Sequence, residues 1–300
     1  MSGVTTLDAN REDSLATIRA ALDAGINHLD TAYCYGRNGE SDLLLGEALV
    51  GVRERVVIAG KGGIHFDEAG EYANDARPAT LLAECETSLR RLRTDRVDLF
   101  YLHAPDGTTP VAESAGAIAE LIAAGKARSA GASNCTLEQI QEFHSACPLA
   151  AVQLPYNMLQ RDIEQRTLPW CREREIAVCV YWPLMKGLLA GALKKESDLA
   201  PDDNRRKYPM YQGEEWERNR RFVDRLEAIA QPAGRTVAQV VINWTICQEG
   251  VTAALCGAKR PWQIEETAGA MGWRLSPEQL AAIGEAIAER GAAAAKRVFT

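Results

Sequence analysis

Short runs of apolar, β-branched residues alternate along this chain with longer stretches of helical period, and that alternation admits few folds. The runs are Ile26–Thr31, Arg55–Lys61, Val97–His103, Ala127–Ser133, Ala151–Leu154, Ile176–Trp182 and Val251–Gly257. Most are apolar nearly throughout, as parallel strands covered on both faces must be. Helical stretches fall between them. Ser14–Ala24 carries Leu15, Ile18 and Leu22 on one face before Gly25 stops it. The same reading suits Ser41–Val50, Ala79–Leu92, Val111–Ala124, Leu137–Ala146 and Ile163–Glu173. Repeated strand-then-helix order implies a parallel sheet with helices outside it, so the expected fold class is α/β, a (β/α)8 TIM barrel.

A closed barrel of that class has eight strands, and only seven runs can be found. Met1–Asn10 is polar and rich in Gly and Thr, too poor in apolar residues for a buried strand. The first strand is therefore expected to be missing, through a late start or an atypical closure. Farther along, Met185–Gly213 is charged and dotted with Gly and Pro, too long for a routine connection. Helices are expected at Glu214–Ala230 (with Trp216, Phe222, Val223, Leu226 and Ile229 inward), Val237–Gln248, Trp262–Met271 and Ser276–Arg290. The last opens on Ser-Pro-Glu, an N-cap signal, and the Ala-rich tail Gly291–Thr300 is expected to be loose. A length of 300 residues suits one such domain spanning 1–300.

Composition removes several function classes. The net charge is −7, and no Lys/Arg block is long enough to track a nucleic-acid backbone. No apolar run approaches the ~20 residues of a membrane span, and Met1–Asp13 lacks a signal-peptide core. Eight cysteines are scattered without a CxxC, which reads as free thiols of a reducing cytoplasm. Four unclustered histidines argue against a metal-dependent hydrolase.

Chemistry gathers at strand ends. Asp30 closes INHLD with Tyr35 five positions on, Lys61 closes RVVIAGK, and His103 closes VDLFYLH. Barrels of this class place catalytic groups at the C-terminal ends of their strands, so all four can converge. A single charged residue at a strand end is simply where the chain meets water, but the four together have a proton-transfer logic. A phenol with an ordinary pKa near 10 needs help to act as an acid at neutrality. An adjacent ammonium favours the phenolate, a carboxylate anchors the ammonium, and a histidine can orient a carbonyl oxygen.

GINHLDTAYCYG, VVIAGKGG, RTDRVDLFYLHAPD, GKARSAGASN, VQLPYN and VYWPLMKGLLAG, in this order, resemble the aldo-keto reductase family from about Asn10 to Trp273. The resemblance implies that Tyr35 is the general acid, that Lys61 and Asp30 lower its pKa, and that His103 orients the carbonyl. Tyr33 matches no catalytic position, and Cys34 reads as a small filler. It also implies an NADPH cofactor, with NADH possible, and a small carbonyl substrate. Ser133, Asn134 and Gln153 would hold the nicotinamide carboxamide, and Tyr156 would stack on its ring. Tyr181, Trp182, Pro183 and Leu184 would line the exit of the next strand, with Gly187 and Leu188 presenting backbone N–H groups to the pyrophosphate. In GAKRPWQIEET, Gly257, Lys259, Arg260, Gln263 and Glu266 would grip the adenosine end, the two cations suiting a 2′-phosphate. Thr267 stands where the family usually has Asn. The expected activity is reduction of an aldehyde or ketone, and the alternative is a cofactor-binding sensor barrel with little turnover.

Overall fold

The computed structural model describes residues 10–195 and 198–293. The expectations of a missing first strand at Met1–Ala9 and of a loose tail from residue 294 fall outside the described residues. By its contacts the chain forms two compact units interleaved in sequence. One comprises the chain through Leu154 with Arg166–Cys179 and Gly257–Glu265; the other comprises Pro155–Gln165, Val180–Cys256 and the chain from Glu266.

The first unit holds α1 (Arg11–Asp23), β1 (His28–Asp30), α2 (Glu40–Ala48), β2 (Val57–Gly62), a hairpin of β3 (Ile64–Phe66) and β4 (Tyr72–Asn74), and α3 (Pro78–Leu92). There follow β5 (Leu99–Leu102), α4 (Val111–Ala123), β6 (Ala130–Ser133), α5 (Leu137–Ala146) and β7 (Leu149–Pro155). The order in the sheet is β1-β2-β5-β6-β7, with β8 (Ala177–Tyr181) next. Within this sheet the pairs β1–β2, β2–β5, β5–β6 and β6–β7 are all parallel. This is the βα repeat of the barrel class. The hairpin β3–β4 has no counterpart in the sequence reading, because three-residue strands with exposed faces carry no apolar period.

One face of these strands packs Ala59, Leu99, Tyr101 and Ala151 together, with Ala177 against them. Small residues dominate because one ring must fit among them. A Cβ on Gly131 would lie 2.3 Å from the Tyr101 ring, so only glycine admits that packing. Local signals start the helices. Asn10 Oδ1 accepts the Asp13 N–H at 2.8 Å ahead of α1. Thr136 and Gln139 form a capping box on α5. The expected helix Ile163–Glu173 is shorter, running Thr167–Arg172 as α6. Pro169 explains this, since a helix starting at Thr167 keeps the proline in its first turn, where no N–H is required.

In the second unit β9 (Ala253–Ala254) joins the end of β8, the Leu255 N–H donating to Val180 O at 2.8 Å. Helix α7 (Gly213–Ala230) buries Trp216, Phe222, Val223 and Leu226, while Ile229 is only half-buried. Helix α8 (Val237–Ile246) precedes β9; α9 (Pro261–Ala268) and α10 (Pro277–Arg290) follow it. The Ser276 cap expected for α10 is a full capping box with Gln279. The buried Arg290 ties α10 to α7, its guanidinium donating to Asn219 Oδ1 at 2.8 and 2.9 Å and to Glu215 Oε2 at 2.5 Å. No helix among the described residues is long and apolar enough to cross a membrane.

Asp98, just ahead of β5, braces the opposite end of the strands. Its carboxylate accepts the Ile58 N–H at 2.9 Å and Arg53 Nη2 at 2.9 Å, with Arg128 Nη1 at 3.3 Å. Asp98→Ala leaves a buried amide and a mostly buried guanidinium without this acceptor, a loss of about 2–3 kcal/mol. Urea denaturation checks this, and an unchanged midpoint would show that water replaces the carboxylate.

Candidate active site

The parallel register aligns Asp30 with Ala59, so Lys61 stands one inward position beyond it on β2. From there the fully buried Lys61 ammonium donates to Asp30 Oδ1 at 2.6 Å, to the Thr31 carbonyl at 2.8 Å and toward Tyr35 Oη at 3.4 Å. The other Asp30 oxygen accepts Gln153 Nε2 from β7 at 2.8 Å. Burial alone would raise the Asp30 pKa, but the Lys61 charge and the hydrogen bonds from Lys61 and Gln153 bring it below its ordinary value.

Tyr35 reaches this group because the chain turns after β1, its N–H donating to Ala32 O at 3.0 Å. Lys61 Nζ lies 4.7 Å from the centre of its ring. The His103 ring meets it edge-on, centroids 5.8 Å apart at 80°. His103 is placed by its own N–H, which donates to Gly62 O at 2.8 Å, and by its carbonyl, which accepts Asn134 Nδ2 at 2.7 Å. The structure thus brings Asp30, Tyr35, Lys61 and His103 together. Beside them, Cys34 Sγ is 3.7 Å from His103 Nδ1. Burial pushes that thiol up to about 12, so it stays uncharged at neutral pH. The Tyr33 ring lies elsewhere, under the Arg91 guanidinium at 4.7 Å.

Asp106, the acid of the HAPD motif, had no role assigned from sequence, and here it holds the loop behind His103. It accepts N–H groups of Ala76, Thr108 and Thr109 at 2.9, 2.8 and 2.7 Å and the Thr109 hydroxyl at 2.7 Å. Against burial, these bonds hold its carboxyl far below the carboxylate range. The Asp-x-Thr-Thr spacing, an Asx-turn signal, was the available clue.

Of the residues expected to hold a cofactor, the first unit gathers Ser133, Asn134 and Gln153 at neighbouring strand ends, Ser133 in register with Gln153. Ser133 Oγ is buried and has no hydrogen-bond partner among the described residues. Asn134 takes the left-handed conformation, φ 60°. Gly257, Lys259, Arg260 and Gln263 lie in or beside the turn into α9. There Gln263 Oε1 accepts the N–H groups of Lys259 and Arg260 at 2.7 and 3.1 Å, so Gln263 caps the helix. Arg260 pairs with Asp13 at 3.3 Å.

In the second unit, Tyr181, Trp182 and Leu184 are half-buried, and Pro183 and Leu188 are buried. Trp182 and Gly187 have positive φ, 62° and 93°. The Gly187 N–H, expected to face a pyrophosphate, donates to Leu184 O at 2.8 Å. Glu266 contributes its carbonyl to Gln239 Nε2 at 3.0 Å. Tyr156 needs correction as the stacking aromatic. It is completely buried, stacked on Trp244 at 5.8 Å, with its hydroxyl donating to Glu164 Oε1 at 2.5 Å. A ring platform must offer an open face, and this one has none. The QLPYN motif misled because it places the Tyr at a strand end without showing which side it packs.

The chain matches the model of the aldo/keto reductase family over residues 2–288. It is 36% identical over 274 residues to aldo-keto reductase YhdN of Bacillus subtilis, spanning 90% of this chain and 82% of that one. Among solved structures it is similar to the glycerol dehydrogenase AKR11B4 of Gluconobacter oxydans, with a TM-score of 0.88, 35% identity, and coverage of 96% of this chain and 89% of that one. It is also similar to an aldo-keto reductase of Klebsiella pneumoniae in complex with NADPH, with a TM-score of 0.72, 30% identity, and coverage of 92% and 84%. With a family match over nearly its whole length and an Asp-Tyr-Lys-His cluster on consecutive strand ends, this chain belongs to the aldo/keto reductase family.

Proposed function

We propose that the protein reduces an aldehyde or ketone to an alcohol with NADPH, and that Tyr35 donates the proton. The observation that carries the reading is the buried Lys61 ammonium, set between the Asp30 carboxylate at 2.6 Å and the Tyr35 hydroxyl at 3.4 Å. A phenol that gives up its proton there leaves a phenolate facing a fixed positive charge, in a site where water screens little. Asp30 keeps the ammonium in place, and His103, edge-on to Tyr35, is positioned to donate to a carbonyl oxygen. A binding-only barrel has no use for this arrangement.

The residues present fit a dinucleotide. The orphaned Ser133 hydroxyl, beside Asn134 and Gln153, suits a carboxamide, because a buried hydroxyl without a partner is costly until a ligand satisfies it. Bound NADPH would supply the hydride. Lys259 and Arg260 would hold its 2′-phosphate; the Arg260–Asp13 pair is partly exposed, and such pairs yield readily to a phosphate. Tyr181, Trp182, Pro183, Leu184, Gly187 and Leu188 keep their cofactor assignment from the sequence resemblance, as do Gly257 and Glu266, whereas Gln263 acts by shaping the turn.

NADPH oxidation with a small aldehyde, followed at the nicotinamide absorbance, tests the activity; binding without turnover would favour the sensor alternative. Replacing Lys259 and Arg260 together by Ser should weaken NADPH about tenfold or more and NADH little, since only NADPH carries the extra phosphate. Equal weakening of both cofactors would remove these residues from the phosphate site.

A further inference from the structure

Asp42 lies in the first turn of α2, where an acidic residue ordinarily faces water and complements the helix dipole. Here it is fully buried. Oδ1 accepts the Thr31 hydroxyl at 2.6 Å and Oδ2 accepts the Ser88 hydroxyl of α3 at 2.7 Å. Thr31 Oγ1 is also 2.9 Å from Ser41 Oγ. Burying a carboxyl group is expensive, and neither recorded bond is to a cation, so the arrangement is poor value for stability alone.

Thr31 is the residue after Asp30, and its carbonyl is the second oxygen that accepts from Lys61 Nζ, at 2.8 Å. The hydroxyl held by Asp42 and the carbonyl holding Lys61 belong to one residue. We propose that Asp42 is a positioning residue for carbonyl reduction: by anchoring Thr31 from α2 it keeps that carbonyl on the Lys61 ammonium, and so aims the ammonium at Tyr35. An ammonium has three N–H groups, and the recorded acceptors are three: Asp30, the Thr31 carbonyl and the Tyr35 hydroxyl. Loss of the middle acceptor lets the cation swing toward Asp30 and away from the phenol. This rests on the reading of Lys61 and Tyr35 given above.

The test uses the full chain with NADPH and a small aldehyde. Thr31→Val keeps the shape and the backbone carbonyl but deletes the anchoring hydroxyl, and Asp42→Ala removes the oxygen that accepts it. Both should lower kcat about 10- to 100-fold with NADPH affinity, read by nucleotide fluorescence, unchanged. Thr31→Ser restores the hydroxyl and should recover most of the loss. Ser88→Ala cuts the other arm of the same carboxylate and should lower the melting temperature while kcat stays at the parent value. If Thr31→Val and Asp42→Ala melt earlier yet keep the parent kcat, the tether is structural and the proposal is overturned. Lys61→Met separates the two levels. Its inactivity alongside an active Thr31→Val overturns the tether alone, whereas full turnover by Lys61→Met overturns the role of Lys61 and the tether with it.

Discussion

Tyr35→Phe will cut carbonyl reduction by about 10²–10⁴-fold while NADPH binding stays near its parent value, because the variant loses one hydroxyl and keeps the ring. The ring's own contacts, edge-on to His103 and beside the Lys61 ammonium, survive the change, so the fold is untouched. Tyr33→Phe is the matched control. Its ring sits under Arg91, and removing its hydroxyl should leave turnover as it was. Steady-state rates and a fluorescence titration on both variants decide the matter. Substantial turnover by Tyr35→Phe would assign the proton to another donor, with His103 the next candidate.

Asp30→Asn should destabilise the protein by about 3–5 kcal/mol at neutral pH, because it leaves the Lys61 ammonium buried with its charge partner gone. Gln153 loses the same carboxylate. The effect carries a pH signature. In the folded chain, burial acts to raise the Asp30 pKa, yet the Lys61 charge and hydrogen bonding prevail and set it below its ordinary value of about 4. A carboxyl depressed on folding stabilises the native state above its unfolded pKa, and the contribution disappears as pH falls through the folded value. The stability gap between parent and variant should therefore be full at pH 7 and shrink below about pH 4. Denaturant titration across that range measures it. A gap that is absent at pH 7, or independent of pH, would mean that water enters to solvate Lys61 and that the pair is not closed to solvent.

Much of the candidate active site was legible in the sequence. Asp30, Lys61 and His103 each end or follow an apolar run, and a parallel sheet brings consecutive strand ends side by side, so three positions far apart in sequence had to become neighbours. Tyr35 stood out in the sequence only by its place five positions after Asp30, and the turn that carries it back to Lys61 is seen in the structure. Tyr156 failed for the complementary reason. Its motif and its place after a strand were visible, but the Trp244 ring that covers it comes from a helix nearly ninety residues away, and no local pattern encodes that contact.

The same division runs through the molecule. Strand and helix order follow from periodicity and caps, because those signals act among residues a few positions apart: Asn10, Thr136 and Ser276 bond within their own first turns. Pro169 limits α6 by the same local rule. What only the tertiary structure decided is which polar side chains lose contact with water. Asp42 reads as an ordinary acidic residue at the start of a helix, and Ser133 as the polar last residue of a strand. One is a fully buried carboxyl gripping the residue beside Asp30, the other a buried hydroxyl with no hydrogen-bond partner among the described residues. Burial depends on every element packed around a side chain, so the sequence could specify Asp30, Tyr35, Lys61 and His103 by their spacing, while the environment around them came into being only when the strands and helices assembled.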